Sequence, residues 1–439
     1  MSRGAFLLAL LLGAAPLGRG APPEPVRVEL GKAVLELSGQ VRFRFEDGRA
    51  FDVRGYRPAV DDRFLLSRVM LDASLRFSPR HRFFLQLRDA RETGSYLEKE
   101  DFPRNNPFED PLDIRQLFYE GSDLAGTGLG LRLGRQQISY GEQRVFGPGQ
   151  WGNTGRWAWD AALVDVKTKR LHADLWLGRP VRNRPDRWPN ASVPEPRVAT
   201  AYVRALGLPA RVDAFYVFKE DAAGTTAGES GHGDLRSHSF GFQAEGTWRR
   251  LDYALTAVGQ RGRWGQDDLR AAGGSGTLGW RFESLRWKPR LRGVLTWGSG
   301  DRDPQDGVHG TFDGVLGGAD IAFYGYCNLF FWANLWDREL QLLFRPAGSL
   351  DLYVQAHSFA LSSPRDAWYS TSLGMVRRDP SGASGTGLGE ELDLRVVWRA
   401  RPTVELMAGL SWYWPGDFVR ATGPARDARW HMLQATWSW

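Results

Sequence analysis

The chain has 439 residues, a net charge of +6, 19 Trp, 52 Gly and a mean hydropathy of −0.40. It could hold two or three ordinary domains, but a chain so aromatic and yet so polar on average does not describe several soluble cores. The single cysteine, Cys327, excludes an internal disulfide and a cysteine-based zinc site, and the modest, dispersed positive charge argues against a nucleic-acid partner.

At the N-terminus, Arg3, the apolar run Ala5 to Leu17 and the small residues around Gly18-Arg19-Gly20 read as a secretory signal peptide over residues 1–20. The run is short of the roughly 20 residues that a membrane helix needs. Residues 21–439 are then a single domain. From Lys32 onward, strand follows strand. Leu35, Leu37, Gly39, Val41, Phe43 and Phe45 alternate with Glu36, Ser38, Gln40, Arg42 and Arg44, which predicts a first strand near 34–45 with one apolar and one polar face. A second strand carries Val69, Leu71, Ala73, Leu75 and Phe77 on one side and Arg68, Asp72, Ser74 and Arg76 on the other. The turn Ser78-Pro79-Arg80 reverses it.

Further strands are predicted near 82–91, 112–120, 127–137, 159–168, 170–178, 197–206, 210–219, 235–248, 250–261, 270–283, 288–299, 334–346, 350–361, 389–400, 402–414 and 428–439. That makes eighteen; sixteen is the other even count that the uncertain boundaries allow. Connections such as Gly207-Leu208-Pro209, Arg249-Arg250, Pro346-Ala347-Gly348-Ser349 and Ala400-Arg401-Pro402 are tight, while the alternate ones are long and rich in Gly, Pro, Asp and Arg. The expected fold is an all-β, up-and-down antiparallel transmembrane barrel with short periplasmic turns and long extracellular loops. The segment Ala319 to Trp336, broken by Asp320, Asn328 and Asn334, reads as extended and half-polar. In the closing strand, Leu433, Ala435, Trp437 and Trp439 should face lipid and Gln434, Thr436 and Ser438 the lumen, with His431 near the outer interface and the strand paired to the first.

So large a barrel encloses water, so its inward positions should be polar. Alternation aims Arg42, Arg44, Arg68, Arg88, Arg132, Arg395 and Arg399 inward, with Glu36, Asp72, Glu391 and Asp393 as acidic company. The bland account of these arginines is a ladder of cross-strand ion pairs. The acidic stretch Asp301 to Gly307 lacks the spacing of a calcium loop and reads as a solvated connection. No serine stands out as a partner for His357 or any other histidine, so no catalysis is expected.

By mid-chain a family becomes recognisable. Leu133-Gly134-Arg135-Gln136-Gln137-Ile138-Ser139-Tyr140-Gly141, then Arg144, Gly147-Pro148, Trp151 and Asn153-Thr154-Gly155-Arg156, resemble the alginate export family of outer-membrane proteins. Ser299-Gly300-Asp301, Gly310-Thr311-Phe312-Asp313, Tyr324-Gly325-Tyr326, Asp366-Ala367-Trp368-Tyr369, Gly389-Glu390-Glu391-Leu392-Asp393 and Pro415-Gly416-Asp417-Phe418 follow in that family's order. The chain departs from the pattern at Trp159, Ala161 and Asn328. The resemblance implies an eighteen-stranded barrel in the outer membrane of a Gram-negative bacterium, with a narrow, arginine-lined pore for an anionic polysaccharide. A passive porin for small anions or sugars is the alternative. No cofactor and no metal are expected. The expected partners are the polysaccharide, outer-membrane lipid and lipopolysaccharide, and periplasmic delivery components.

Two loop arginines matched to the family, Arg144 and Arg156, are expected to fold into the lumen. Arg135 shares parity with Leu129, Leu131 and Leu133; it is expected inward, either because the strand stops at Gly134 or because a bulge re-aims it.

Overall fold

The computed structural model describes residues 23–50, 61–102, 105–317, 321–370 and 373–439; the expected signal peptide lies outside them. Eighteen strands close into a barrel. They are β1 (Ala33–Arg49), β2 (Asp62–Ser78), β3 (His81–Thr93), β4 (Asp110–Gly121), β5 (Leu129–Gln136), β6 (Trp159–Lys167), β7 (Leu171–Pro180), β8 (Arg197–Ala205) and β9 (Arg211–Ala227). The second half comprises β10 (His232–Trp248), β11 (Leu251–Trp264), β12 (Asp267–Arg281), β13 (Arg290–Gly298), β14 (Leu335–Ala347), β15 (Leu350–Leu361), β16 (Gly387–Arg401), β17 (Val404–Pro415) and β18 (Ala428–Ser438). Each pairs antiparallel with its sequence neighbours. β18 returns to β1 in the register Gln40↔Ser438 to Arg49↔Arg429, so no edge is left with open backbone groups.

Each predicted strand is present in the predicted order. Several are longer than predicted at their extracellular ends, where β1, β2, β9 and β10 each run to 17 residues. Two extracellular connections, β9–β10 and β11–β12, are also short, against the expectation of uniformly long loops. Among the described residues no helix is long and apolar enough to cross a membrane. The strand Val26–Leu30 folds back on the start of β1.

Alternation assigns every side chain to a face. Outward positions are apolar or aromatic from the periplasmic end of each strand to near its extracellular end: Leu251, Tyr253, Leu255, Ala257 and Gly259 in β11, or Leu340, Leu342 and Phe344 in β14. Many of these, such as Leu340 at 54 % and Leu433 at 62 %, are exposed without lipid around the protein. Charged outward residues appear only toward the extracellular ends, as Asp47 and Arg49 do in β1. His431 is outward and opposite Asp47, as expected. Closure also explains Gly39. A Cβ there would collide with Cζ2 of Trp439, whose indole covers it while the two backbones exchange N–H···O bonds of 3.1 Å.

Candidate functional site

The barrel interior divides into two halves. The extracellular half is filled by two loops, the first residues 137–158 and the second described at residues 299–317 and 321–334, that fold inward and build a hydrophobic core against inward residues of the wall. Phe146 packs on Tyr202 and Phe215, and Phe330 on Phe359 and Tyr413. The loops also meet each other. Trp151 stacks on Tyr326 at 6.3 Å, and the Trp157 indole N–H donates to the Gly317 carbonyl at 3.2 Å. Of the segment 319–336 expected to be extended, residues 319 and 320 lie outside the described residues, and the rest begins instead as one helical turn, Ile321–Tyr324, followed by irregular chain up to Leu335.

This loop insertion decides where the sequence-predicted residues act. Arg42, Arg44, Arg68 and Arg88 do point inward, but each is buried and bound to loop backbone. Arg42 donates to Trp151 and Gly152 carbonyls and to Asn153 Oδ1 at 3.1 Å, and Arg44 to the Trp151 carbonyl at 2.7 Å. Arg68 reaches the Gln150 and Gly152 carbonyls, and Arg88 binds the Thr154 carbonyl, Asp110 and Asn183. Arg115, which pattern reading passes over, donates to the Trp157 carbonyl at 3.0 Å. A carbonyl oxygen carries partial negative charge, so a row of guanidiniums with fixed forks suits a row of carbonyls that belong to no ladder.

Glu391 and Asp393 do the complementary task for the second loop. They accept from the backbone N–H groups of Cys327 (2.8 Å) and Tyr326 (3.2 Å) and from Ser411 Oγ. Arg395 lies over the rings of Tyr353 and Tyr326, at 4.2 and 5.5 Å.

Arg144 and Arg156 lie in the inserted loop, as expected. Arg144 is buried, paired with Glu142 at 3.1 Å and stacked over Phe323 at 4.5 Å. Burial works against its charge, but Glu142 and Tyr324 outweigh it and hold its pKa above the ordinary arginine value. Arg156 sits over Trp157 and Phe331, each at 5.2 Å. Arg135 departs from the expectation. β5 continues through it without a bulge, so it keeps the outward parity of Leu133 and faces Asp160 of β6, which it binds at 2.8 Å. An outward acid opposite it makes inward re-aiming unnecessary.

The periplasmic half is the part whose arginines remain partly exposed, and here one arrangement recurs. A carboxylate is shared by two guanidiniums: Glu120 by Arg82 and Arg132, Asp213 by Arg204 (3.0 Å) and Arg211 (2.8 Å), Asp252 by Arg290 (2.9 Å) and Arg292 (3.3 Å). Asp351 serves Arg345 and Arg399 in the same way, at 3.0 and 2.9 Å. Of these arginines only Arg132 and Arg399 stand out in the sequence. The others lie on the polar parity of strands beside the tight turns, where alternation alone suffices to find them.

Among the described residues two groups of side chains come close enough to share a cation, Asp337 with Glu339 and His357 inside the barrel and Glu229 with Asp301 and Asp306 in the loops. The first is already knit by a 3.0 Å contact between His357 and Asp337 and by amide donors to Glu339. In the second, Asp301 accepts the backbone N–H of Asp303 in its own loop, and Glu229 accepts that of Gly307 from the 299–334 loop. Cys327 is buried with Sγ 3.2 Å from Ser411 Oγ.

Solved structures share the architecture. Pseudomonas aeruginosa OccK9 (OpdG) superposes with a TM-score of 0.60 at 11% identity, covering 92% of this chain and 98% of that one. Acinetobacter baumannii OccAB2 gives 0.58 at 10%, with 92% and 98% covered. Pseudomonas aeruginosa OccK11 (OpdR) gives 0.56 at 15%, with 93% and 96% covered. At these identities the likeness establishes the fold. A search of curated protein sequences finds no match. The profile of the alginate export family matches residues 33–432, nearly the whole barrel from β1 into β18. This is an outer-membrane barrel channel, and the chain belongs to the alginate export family.

Proposed function

We propose that the protein passes an acidic polysaccharide of the uronate class, or its fragments, by passive diffusion through the arginine-rich lumen. The observation that carries this reading is the sharing of single carboxylates by pairs of guanidiniums along the periplasmic half. Around Glu120 and Asp252 this leaves a positive charge in excess, whereas at Asp213 the further ion pair of Arg211 with Glu245 offsets it. A passing carboxylate can take up a guanidinium fork that the resident acid releases, and the resident acid recovers it as the sugar moves on. Binding therefore stays weak enough for exit, which conduction demands. Membership of the alginate export family supports the same cargo class.

Planar-bilayer recording tests the proposal. The wild-type channel should favour anions, and oligouronates added to the periplasmic side should interrupt the current. Arg290→Gln with Arg292→Gln should move the reversal potential toward that of an unselective pore. Cation selectivity would refute the reading. Anion selectivity with a current indifferent to oligouronates would favour the second reading, a porin for small anions, which the fold shared with the Occ porins supports.

A further inference from the structure

On the membrane-facing wall, the extracellular ends of β9 to β12 carry a continuous row of cations. Residues directly opposite across these strands run Phe218–His238–Arg261–Arg270, and one step higher Glu220–Arg236–Arg263–Asp268. All lie outward by alternation. The acids are already engaged, Glu220 with Arg236 at 3.2 Å and Asp268 with Arg270 at 3.1 Å. Among the described residues no ion pair reaches Arg261 or Arg263. Arg261 faces Arg270 in register, with Cα atoms about 5 Å apart, an arrangement that costs stability unless an anion lies between them.

The height of the row is set by the strand. From Leu251 at the periplasmic turn to Arg261 is ten residues, which at ~3.3 Å per residue and a tilt of ~40° is about 25 Å, the height of the apolar band of such barrels. Arg261 and Arg270 therefore emerge where hydrocarbon gives way to headgroups. Beside them Tyr216, Phe218, His238 and Phe240 form an aromatic cluster of the kind that marks this boundary. The periplasmic rim of the same strands offers outward Tyr253, Trp248 and Trp280, with Arg249 over the Trp248 ring at 5.1 Å. Below the row the wall is hollowed. A Cβ added at outward Gly276 or Gly293 would meet nothing within 4 Å, and with Leu278, Leu295 and Leu340 these glycines line the near side of an open concavity of about 850 Å³ that runs from β12 below Arg270 across to β17, with Arg338 and Glu390 on its far side. The short β9–β10 and β11–β12 connections leave this sector without a long loop of its own.

We infer that this face is a binding site for a phosphorylated lipid of the outer leaflet, its phosphates held by Arg261, Arg263 and Arg270 and an acyl chain seated in the hollow below. Arginine suits the role because its fork binds phosphate oxygens in pairs and its charge persists beside hydrocarbon. The site rests on the outer-membrane placement and not on the identity of the cargo.

Native mass spectrometry of the detergent-purified full chain tests it, with bis-phosphorylated lipid A and its dephosphorylated form as probes. The phosphorylated form should bind the wild type, and Arg261→Gln with Arg263→Gln should weaken that binding about tenfold. The inward pair Arg290→Gln with Arg292→Gln should leave it at the wild-type level. Retained heat-modifiable gel mobility reports that each variant is folded. Equal binding of the two lipids, or equal binding by the outward variant, overturns the inference; so does a loss shared by the inward pair, which would mark a response to net charge alone.

Discussion

Asn153 is the single side chain on which the docking of the 137–158 loop most depends. It is fully buried, and its Nδ2 reaches the carbonyls of Ser67, Arg91 and Phe108 at 3.0, 3.1 and 2.8 Å, while Oδ1 accepts from Arg42 at 3.1 Å. Asn153→Ala removes neutral hydrogen bonds worth ~1 kcal/mol each and one to a guanidinium worth ~1.5–3 kcal/mol, and leaves a buried Arg42 donor unmatched. Allowing for relaxation, the free energy of local loop opening should fall by about 3 kcal/mol, a rise of about two orders of magnitude in the open population. The backbone N–H groups of residue 153 and Thr154, both bonded to the Pro107 carbonyl, report it directly. Their hydrogen exchange should quicken by that factor, while amides in mid-strand of β2 and β3 keep their rates. Single-channel conductance should rise in the same variant. Unchanged exchange at these two amides would refute the account of the loop as pinned by this residue; faster exchange throughout the barrel would show that the substitution had damaged the wall instead.

Other outcomes follow from the same contacts. Lys219 binds Asp313 of the second loop at 2.5 Å and the Val315 carbonyl at 2.8 Å. Lys219→Met strands a buried carboxylate at a cost of about 3–5 kcal/mol, so residues 310–317 should become protease-sensitive, and adding Asp313→Leu should restore resistance. Burial disfavours the Asp313 carboxylate, but Lys219 and Gln260 outweigh it and hold the pKa below the ordinary 3.8. Its contribution is therefore intact above about pH 4 and is lost as pH falls through the lower folded value. Protease resistance that fails instead as pH rises toward neutrality would contradict this. At the seam, Gly39→Val collides with the Trp439 indole and should cost about 1–3 kcal/mol, slowing the appearance of the heat-modifiable folded form in vesicles; an unaltered folding rate would show that the indole moves aside freely.

The barrel is legible in the sequence because a wall between lipid and water enforces a period of two on every strand, and Leu35 to Phe45 or Leu433 to Trp439 show it without interruption. Parity also places Arg42, Arg44, Arg68 and Arg88 inward. What alternation cannot show is that a loop covers them, since loop backbone has no period. The composition of the loops holds the hint: Val145, Phe146, Trp151 and Trp157 in one, and Phe330, Phe331 and Trp332 in the other, are too apolar for connections bathed in water. Arg135 misleads for the opposite reason. Its outward parity is plain in the sequence, but the Asp160 that makes an outward arginine tolerable lies 25 residues away on the next strand.

Trp151 touches both ends of the chain. Arg44 of β1 lies 4.8 Å from its ring and Trp430 of β18 packs at 6.5 Å, while Trp430 itself donates to Glu46 of β1 at 3.0 Å. The inner loop thus straddles the junction of first and last strands, and the Trp430 side of its seat exists only when they have met. Once seated, the loop acts as a bolt across the seam that opposes its reopening. A barrel left ajar during insertion would carry its loop undocked, a distinction available to any protease that surveys unfinished chains.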